Sequence, residues 1–90
     1  MNNILINVVG KVQGVGFRYF CLNLALKYDL VGYAKNLDDG SVDILIQGNV
    51  DKIQVFLSQV SKGNRFIKVN SISTTENPID SSLKKFNIVY

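Results

Sequence analysis

The hydrophobic period changes from two residues to about 3.6 residues across one glycine-rich stretch, and this change limits the folds that the chain can adopt. Apolar residues alternate with polar ones along Ile4–Val12, which predicts a half-buried β-strand. From Phe17 to Tyr28 they recur at every third or fourth position, which predicts a helix with one apolar stripe. The stretch Gly10–Arg18 therefore contains a turn that leads from a strand into a helix.

The same two periods predict five further elements. Asp38-Asp39-Gly40 favours a hairpin turn, while Asn49 and Gly63 suit the start and the end of a second helix. Val69 and Ile72 are out of phase within one strand, which indicates a β-bulge between them. These five elements are strands at Val31–Leu37, Val42–Gln47, Phe66–Thr75 and Phe86–Tyr90, and a helix between Asn49 and Gly63.

The order of the elements indicates the fold class. Strand, helix, strand, strand, helix, strand is the split βαβ or ferredoxin-like pattern, here with one further terminal strand. Each helix has a single apolar stripe, so both helices should cover one face of an antiparallel sheet of four to five strands. We therefore predict an α+β sandwich in which residues 1–90 form a single domain.

Composition excludes several classes of function. The chain has 47% hydrophobic and 19% charged residues, which is typical of a soluble globular protein. With no histidine and one cysteine, neither a zinc site nor an internal disulfide is expected. No apolar run reaches the roughly 20 residues that span a membrane, and a basic signal-peptide start is missing. The expectation is a cytoplasmic monomer without a membrane partner, whose net charge of +3 suits a small anion.

The glycine-rich stretch has the chemistry of an anion site. Gly14 and Gly16 allow backbone amides to approach a ligand, and the start of a helix leaves further amides unpaired. Arg18 adds a planar two-pronged donor on the first helical turn. These features predict a pocket for a phosphate-sized anion, and the alternative is a tight turn followed by a surface arginine.

Two stretches of the sequence resemble the signatures of the acylphosphatase family. The first consists of Val8 and Gly10 followed by Val12-Gln13-Gly14-Val15-Gly16-Phe17-Arg18. The second consists of Gly32-Tyr33-Ala34-Lys35-Asn36 followed by Gly40, Val42 and Gly48. The resemblance extends from about Ile4 to Tyr90, and it implies the ferredoxin-like fold that the element order predicts. It also implies an enzyme that hydrolyses acyl phosphates to a carboxylate and inorganic phosphate.

The resemblance implies a role for each site residue. Arg18 would hold the substrate phosphate, and Asn36 would orient a water molecule for attack. The phosphate would rest on the backbone of a loop formed by Gln13, Gly14, Val15, Gly16 and Phe17. No metal and no cofactor are expected. Because the chain has no histidine and Asp38 and Asp39 suit a turn, we expect direct attack of water on the phosphoryl group.

Three alternatives remain open on the sequence. The first is a domain that handles carbamoyl phosphate, since acylphosphatase-like modules also occur in hydrogenase-maturation proteins. The second is a nucleic-acid-binding module, which usually stacks bases on aromatic residues of its central strands. Ile4–Val12 and Val42–Gln47 contain no aromatic residue, so we do not expect nucleic acid as a partner. The third is a scaffold domain with an inactive pocket.

Overall fold

Five strands and two helices build the fold in the computed structural model, which describes all of residues 1–90. In chain order they are β1 (Asn2–Lys11), α1 (Phe17–Lys27), β2 (Val31–Asn36), β3 (Val42–Gly48), α2 (Val50–Lys62), β4 (Lys68–Asn77) and β5 (Phe86–Val89). All seven predicted elements are present, and no boundary differs from its predicted position by more than two residues. None of the helices has the length and apolar character needed to cross a membrane.

The strands form one sheet in the order β4-β1-β3-β2-β5. The first four of these strands pair antiparallel, as the sequence predicts, but β5 pairs parallel with β2, so the complete sheet is mixed. The connection after β4 explains this direction. It crosses beneath the end of the sheet, where the backbone of Asp80 makes hydrogen bonds of 2.8 and 2.9 Å with the Gln47 side chain. The chain therefore enters β5 at the edge where β2 begins, and both strands run the same way.

Both helices pack against the same face of the sheet. Alternate residues of β1 and β3 are fully buried, among them Ile6 and Ile44, and they belong to the same cluster as the buried residues of both helices. The helices contribute Phe17, Cys21, Ala25, Ile53, Phe56 and Val60 to this core. The prediction of a two-layer α+β sandwich is therefore confirmed. Cys21 is part of the core, and burial raises the pKa of its thiol far above the usual range.

The predicted bulge lies where β1 leaves the sheet. Val9 is opposite Ser71 and Gly10 is opposite Val69, so Asn70 is the extra residue of β4. Gly10 has a φ of 153°, and a Cβ at this position would collide with the carbonyl group of Lys68. Only glycine allows β4 to pass this close to the point at which β1 enters the following loop.

The packing of the core predicts that substitutions at two neighbouring residues of α2 change the free energy of unfolding by very different amounts. Phe56 is fully buried, whereas Val55 beside it is exposed. We expect Phe56→Ala to lower the free energy of unfolding by about 3–5 kcal/mol, because the removed ring leaves a cavity. Val55→Ala is the control and should change it by about 0.5 kcal/mol or less. Urea unfolding followed by circular dichroism measures both, and equal losses would contradict this assignment of the core face.

Candidate active site

The ends of β1, β2 and β5 and the start of α1 surround one cavity of about 160 Å³. β1 and β2 are both antiparallel to β3, which lies between them, so they end at the same edge of the sheet. The cavity is lined by Val12, Gly14, Gly16, Phe17, Arg18, Tyr19, Asn36, Ile88 and Tyr90. The two side chains that the sequence singled out, Arg18 and Asn36, therefore meet at a single site.

The loop between β1 and α1 presents unpaired amides to this cavity. Gly14 and Gly16 have φ values of 73° and 77°, a left-handed conformation that favours glycine. The amides of residues 12–16 donate to no backbone carbonyl, and α1 has no side-chain cap at its N-terminus. Successive free amides and the positive end of a helix dipole attract an anion. The loop therefore offers free hydrogen-bond donors beside the cavity.

The side chain of Gln13 links the loop to the β2–β3 hairpin. The sequence did not predict this contact. The Gln13 Nε2 donates to the carbonyl oxygens of Leu37 at 2.8 Å and Ser41 at 2.9 Å. Val15, two residues further along the loop, packs against the core. Gln13 and Val15 do not line the cavity, whereas Gly14 and Gly16 do. The loop thus turns its side chains towards the protein and its glycines towards the site.

The Arg18 side chain contacts the last residue of β5 and the residue that follows it. Its Nη1 donates a hydrogen bond of 2.8 Å to the carbonyl oxygen of Val89, and its Cζ lies 4.8 Å from the centroid of the Tyr90 ring. No sequence signal identified these two partners, because they lie 71 and 72 residues further along the chain. Arg18 is the only charged side chain that lines the cavity. The site is therefore electropositive.

Asn36 is the last residue of β2 and contributes an unusual polar atom. Its Oδ1 is buried and has no hydrogen-bond partner within the protein. A buried polar group without a partner typically costs about 1–3 kcal/mol, so such groups are rare in folded proteins. The backbone of Asn36 is fixed opposite Val42 of β3, which holds the side chain at the cavity. The amide can hydrogen-bond a water molecule or a ligand there.

Asp38 and Asp39 belong to the turn between β2 and β3 and do not line the cavity. The Oδ1 of Asp39 accepts hydrogen bonds from the Ser41 hydroxyl at 2.6 Å and the Ser41 amide at 2.9 Å. These bonds, the hydroxyl first, lower the pKa of the Asp39 carboxyl below its ordinary value. The prediction that both aspartates are turn residues is confirmed. No group of three or more His, Cys, Asp or Glu side chains in the structure could hold a metal ion.

The fold and the cavity define a small ferredoxin-like protein with a cavity lined by the glycines of one loop and by Arg18. The family model described as acylphosphatase matches residues 4–88. Acylphosphatases of Clostridium acetobutylicum and Geobacillus kaustophilus are 46% and 42% identical to the chain. Both alignments cover 100% of this chain, and they cover 99% and 96% of those relatives. The chain belongs to the acylphosphatase family and is an enzyme of that type.

Solved structures agree with this assignment. The crystal structure of acylphosphatase from Bacillus subtilis superposes with a TM-score of 0.94 at 46% identity, covering 100% of both chains. Full-length HypF, solved in a phosphate- and nucleotide-bound form, matches with a TM-score of 0.90 at 31% identity. That match covers 99% of this chain but only 12% of HypF. The fold therefore also occurs as a small part of a much longer protein.

The Asp39–Ser41 hydrogen bonds predict how stability depends on pH. Because the pKa of Asp39 is lower in the folded chain than in the unfolded chain, its carboxylate adds stability above the unfolded pKa. That contribution is lost as the pH falls through the folded pKa. We therefore expect acid to destabilise the wild type more steeply than Asp39→Asn, and the two proteins to converge in strong acid.

Urea unfolding measured from about pH 7 to about pH 2 tests this expectation. Asp80 makes the same pair of bonds with Ser82, but it is present in both proteins and cancels in the comparison. Asp38→Asn is the control, since the Asp38 carboxylate accepts none of these bonds and its variant should follow the wild type. Parallel curves for the wild type and Asp39→Asn would show that the Ser41 bonds add no stability.

Proposed function

We propose that the chain hydrolyses the carboxyl–phosphate bond of acyl phosphates, releasing a carboxylate and inorganic phosphate by direct attack of water. The observation that carries this proposal is the cavity in which free loop amides, Arg18 and Asn36 meet. An acyl phosphate already has a good leaving group, because carboxylic acids have a low pKa and depart as carboxylates without a proton. The protein then has to position the reactants and stabilise charge.

In this proposal the phosphoryl group rests on the loop between β1 and α1. The loop amides donate to its oxygens, foremost those of Gly14, Gly16 and Phe17, which line the cavity, and the Arg18 guanidinium neutralises part of their charge. Gly14 and Gly16 carry no side chain that would separate the phosphate from the backbone. Donors that are fixed before the substrate binds need little reorganisation as charge shifts during the reaction. The loop and Arg18 would therefore stabilise the transition state as well as bind the substrate.

Asn36 would orient the attacking water. A side-chain amide accepts hydrogen bonds at its oxygen and donates them at its nitrogen, so it can fix a water in one orientation. The position of Asn36 in the lining of the cavity supports this role, because its amide can hydrogen-bond a water there. The water oxygen then forms the new bond to phosphorus as the bond to the carboxylate oxygen breaks.

The proton of the attacking water would pass to an oxygen of the phosphoryl group. No carboxylate or imidazole side chain lines the cavity, so the substrate itself is the nearest base. The reaction balances in this form: a dianionic acyl phosphate and water give a carboxylate and the monoanion of inorganic phosphate. We further propose that the enzyme acts without a metal or cofactor and as a cytoplasmic monomer.

Substitution of Arg18 and Asn36 tests the two roles on benzoyl phosphate with a metal chelator present. We expect Arg18→Ala to lower kcat/KM by about 10³-fold or more, in both kcat and KM. Asn36→Ala should lower kcat by about 10²-fold and leave KM nearly unchanged, because its contact with the attacking water matters most in the transition state. The chelator should have no effect, since Arg18 and the amides supply the charge.

The exposed Arg65 and Asn23 give matched controls, and their alanine variants should keep wild-type kinetics. Circular dichroism checks the fold of each variant. If the folded wild type leaves benzoyl phosphate intact, the proposal for this class of substrate is wrong. The next substrate would then be carbamoyl phosphate, the alternative that the sequence left open.

Substitution of the two turn aspartates tests where the proton of the attacking water goes. We expect Asp38→Asn and Asp39→Asn to keep kcat within about twofold of the wild type, because neither carboxylate lines the cavity. The same benzoyl phosphate assay measures this. If a correctly folded variant lost turnover, an aspartate would be acting as the base, and proton transfer to the substrate phosphate would be the wrong mechanism.

A further inference from the structure

We infer that Tyr19 is the residue that selects the acyl group of the substrate, and that the enzyme favours acyl phosphates with an uncharged aromatic acyl group over acetyl phosphate. The ring of Tyr19 lies against the flat apolar part of the acyl group at the mouth of the cavity. This inference rests on the proposed function, and it adds a choice between substrates that the phosphate contacts alone do not make.

Tyr19 lines the cavity from the outer side of α1. It follows the buried Phe17 by two residues, so the helical period turns it away from the core, and 62% of Tyr19 is exposed. Side chains of an α-helix lean towards its N-terminus and cover the preceding turn. The residues that precede α1 are the glycine loop, so Tyr19 lies at the opening of the cavity, beside the place where the phosphate rests in the proposed function.

The ring of Tyr19 is available to a ligand. Three aromatic residues of the protein are largely exposed, namely Tyr19, Phe66 and Tyr90. An arginine guanidinium lies 5.1 Å from the ring centroid of Phe66 and another lies 4.8 Å from that of Tyr90. Tyr19 is the one of the three with no cation and no second aromatic ring of the protein against it. A bound molecule at the cavity can therefore take this place.

The direction of attack points the acyl group towards α1. The attacking and leaving oxygens of a phosphoryl transfer lie roughly in line, on opposite sides of the phosphorus. Asn36, proposed to orient the water, is on the sheet side of the cavity with Ile88, because β2 and β5 are paired strands. The leaving carboxylate therefore departs on the side of α1. Phe17 of that helix is buried in the core and Arg18 binds the phosphate, which leaves Tyr19 to contact the acyl group.

The chemistry of this side of the cavity favours an uncharged aromatic group. Arg18 is the only charged side chain that lines the cavity, and the phosphate uses its charge, so a charged acyl group finds no partner there. An aromatic acyl group can stack on the Tyr19 ring, which stabilises the complex beyond the area that is buried. An acetyl group ends in a single methyl group, which covers little of a ring. Tyr19 therefore distinguishes the two kinds of acyl phosphate.

Tyr19 is suitable for a test because it is exposed, so the loss of its ring should leave the core intact. The variants are Tyr19→Ala, which removes the ring, and Tyr19→Phe, which keeps the ring without its hydroxyl. Leu26→Ala is the matched control, since Leu26 is 64% exposed on the same helix and does not line the cavity. Circular dichroism and urea unfolding check that all three variants fold.

The main measurement is the ratio of kcat/KM for benzoyl phosphate to kcat/KM for acetyl phosphate. The two substrates differ in intrinsic reactivity, but this difference is the same for every variant and cancels when the ratios are compared. We expect Tyr19→Ala to lower the ratio about three- to tenfold, mainly through a higher KM for benzoyl phosphate, because the ring contact forms before the transition state and persists in it. Tyr19→Phe and Leu26→Ala should keep the wild-type ratio.

A second measurement follows binding without turnover. Two phosphonates in which a methylene group replaces the bridging oxygen imitate benzoyl phosphate and acetyl phosphate but cannot be hydrolysed. NMR titration of the Gly14 and Gly16 amides gives the Kd of each analogue. We expect Tyr19→Ala to raise the Kd of the benzoyl analogue about three- to tenfold and the Kd of the acetyl analogue by less than about twofold.

Three results would contradict the role of Tyr19. If folded Tyr19→Ala loses activity on both substrates by the same factor, the residue acts on the phosphate contacts or on the fold and does not select the acyl group. If the ratio stays at the wild-type value, the ring contacts no acyl group. If Tyr19→Phe loses as much of the ratio as Tyr19→Ala, the hydroxyl and not the ring makes the choice.

The binding and turnover measurements separate this inference from the proposed function. If binding of the benzoyl analogue depends on Tyr19 but no acyl phosphate is hydrolysed, the proposed function fails and the role of Tyr19 stands. If hydrolysis depends on Arg18 and Asn36 but neither the ratio nor the binding depends on Tyr19, the inference alone fails. A folded wild type that hydrolyses neither substrate and binds neither analogue overturns both.

Discussion

The pairing of β3 with both of its neighbours is the constraint on which the site depends. Val42, at the start of β3, is opposite Val8 of β1 on one side and opposite Asn36 of β2 on the other. Val42 is fully buried, so this row of three residues is held by the core as well as by the strands. The loop after β1 and the end of β2 must therefore meet at one edge of the sheet.

Around this row the site is held together by hydrogen bonds whose charged member, Asp39, does not line the cavity. Ser41 is buried beside it, and its hydroxyl accepts from Asn7 and donates to Asp39, while its carbonyl accepts from Gln13. These bonds connect the loop between β1 and α1, the hairpin turn and β1. Because none of them places a charge in the cavity, Arg18 is the only charged side chain that lines it. The groups that hold the site together are therefore different from Arg18, which makes the site electropositive.

The site also contains hydrogen-bonding groups that the fold itself leaves unused. The loop amides have no backbone partner, and the Oδ1 of Asn36 is buried without a partner, which lowers stability. An anion on the amides and a water on Asn36 would satisfy these groups. Local features of this kind, which the fold does not require, are expected at functional sites.

Much of the fold was predictable, because a hydrophobic period is a local pattern that can be recognised in one sequence. The switch of period at Gly10–Arg18, the Asn49 cap and the out-of-phase Val69 and Ile72 each indicated an element or an irregularity that the structure contains. The parallel direction of β5 was not predictable in this way. It depends on a connection that crosses beneath the sheet and is held by Gln47, 33 residues before Asp80.

By itself, the sequence determined the elements, their order, the glycine loop and the family, and it singled out Arg18 and Asn36. Only the tertiary structure decided what surrounds those residues. The Gln13 tether spans 24 and 28 residues, and the contact of Arg18 with Val89 spans 71. A hydrogen bond of a polar side chain to a backbone carbonyl places no requirement on the residue that supplies the carbonyl. Such partners leave no pattern in a sequence and appear only once the sheet has brought distant segments together.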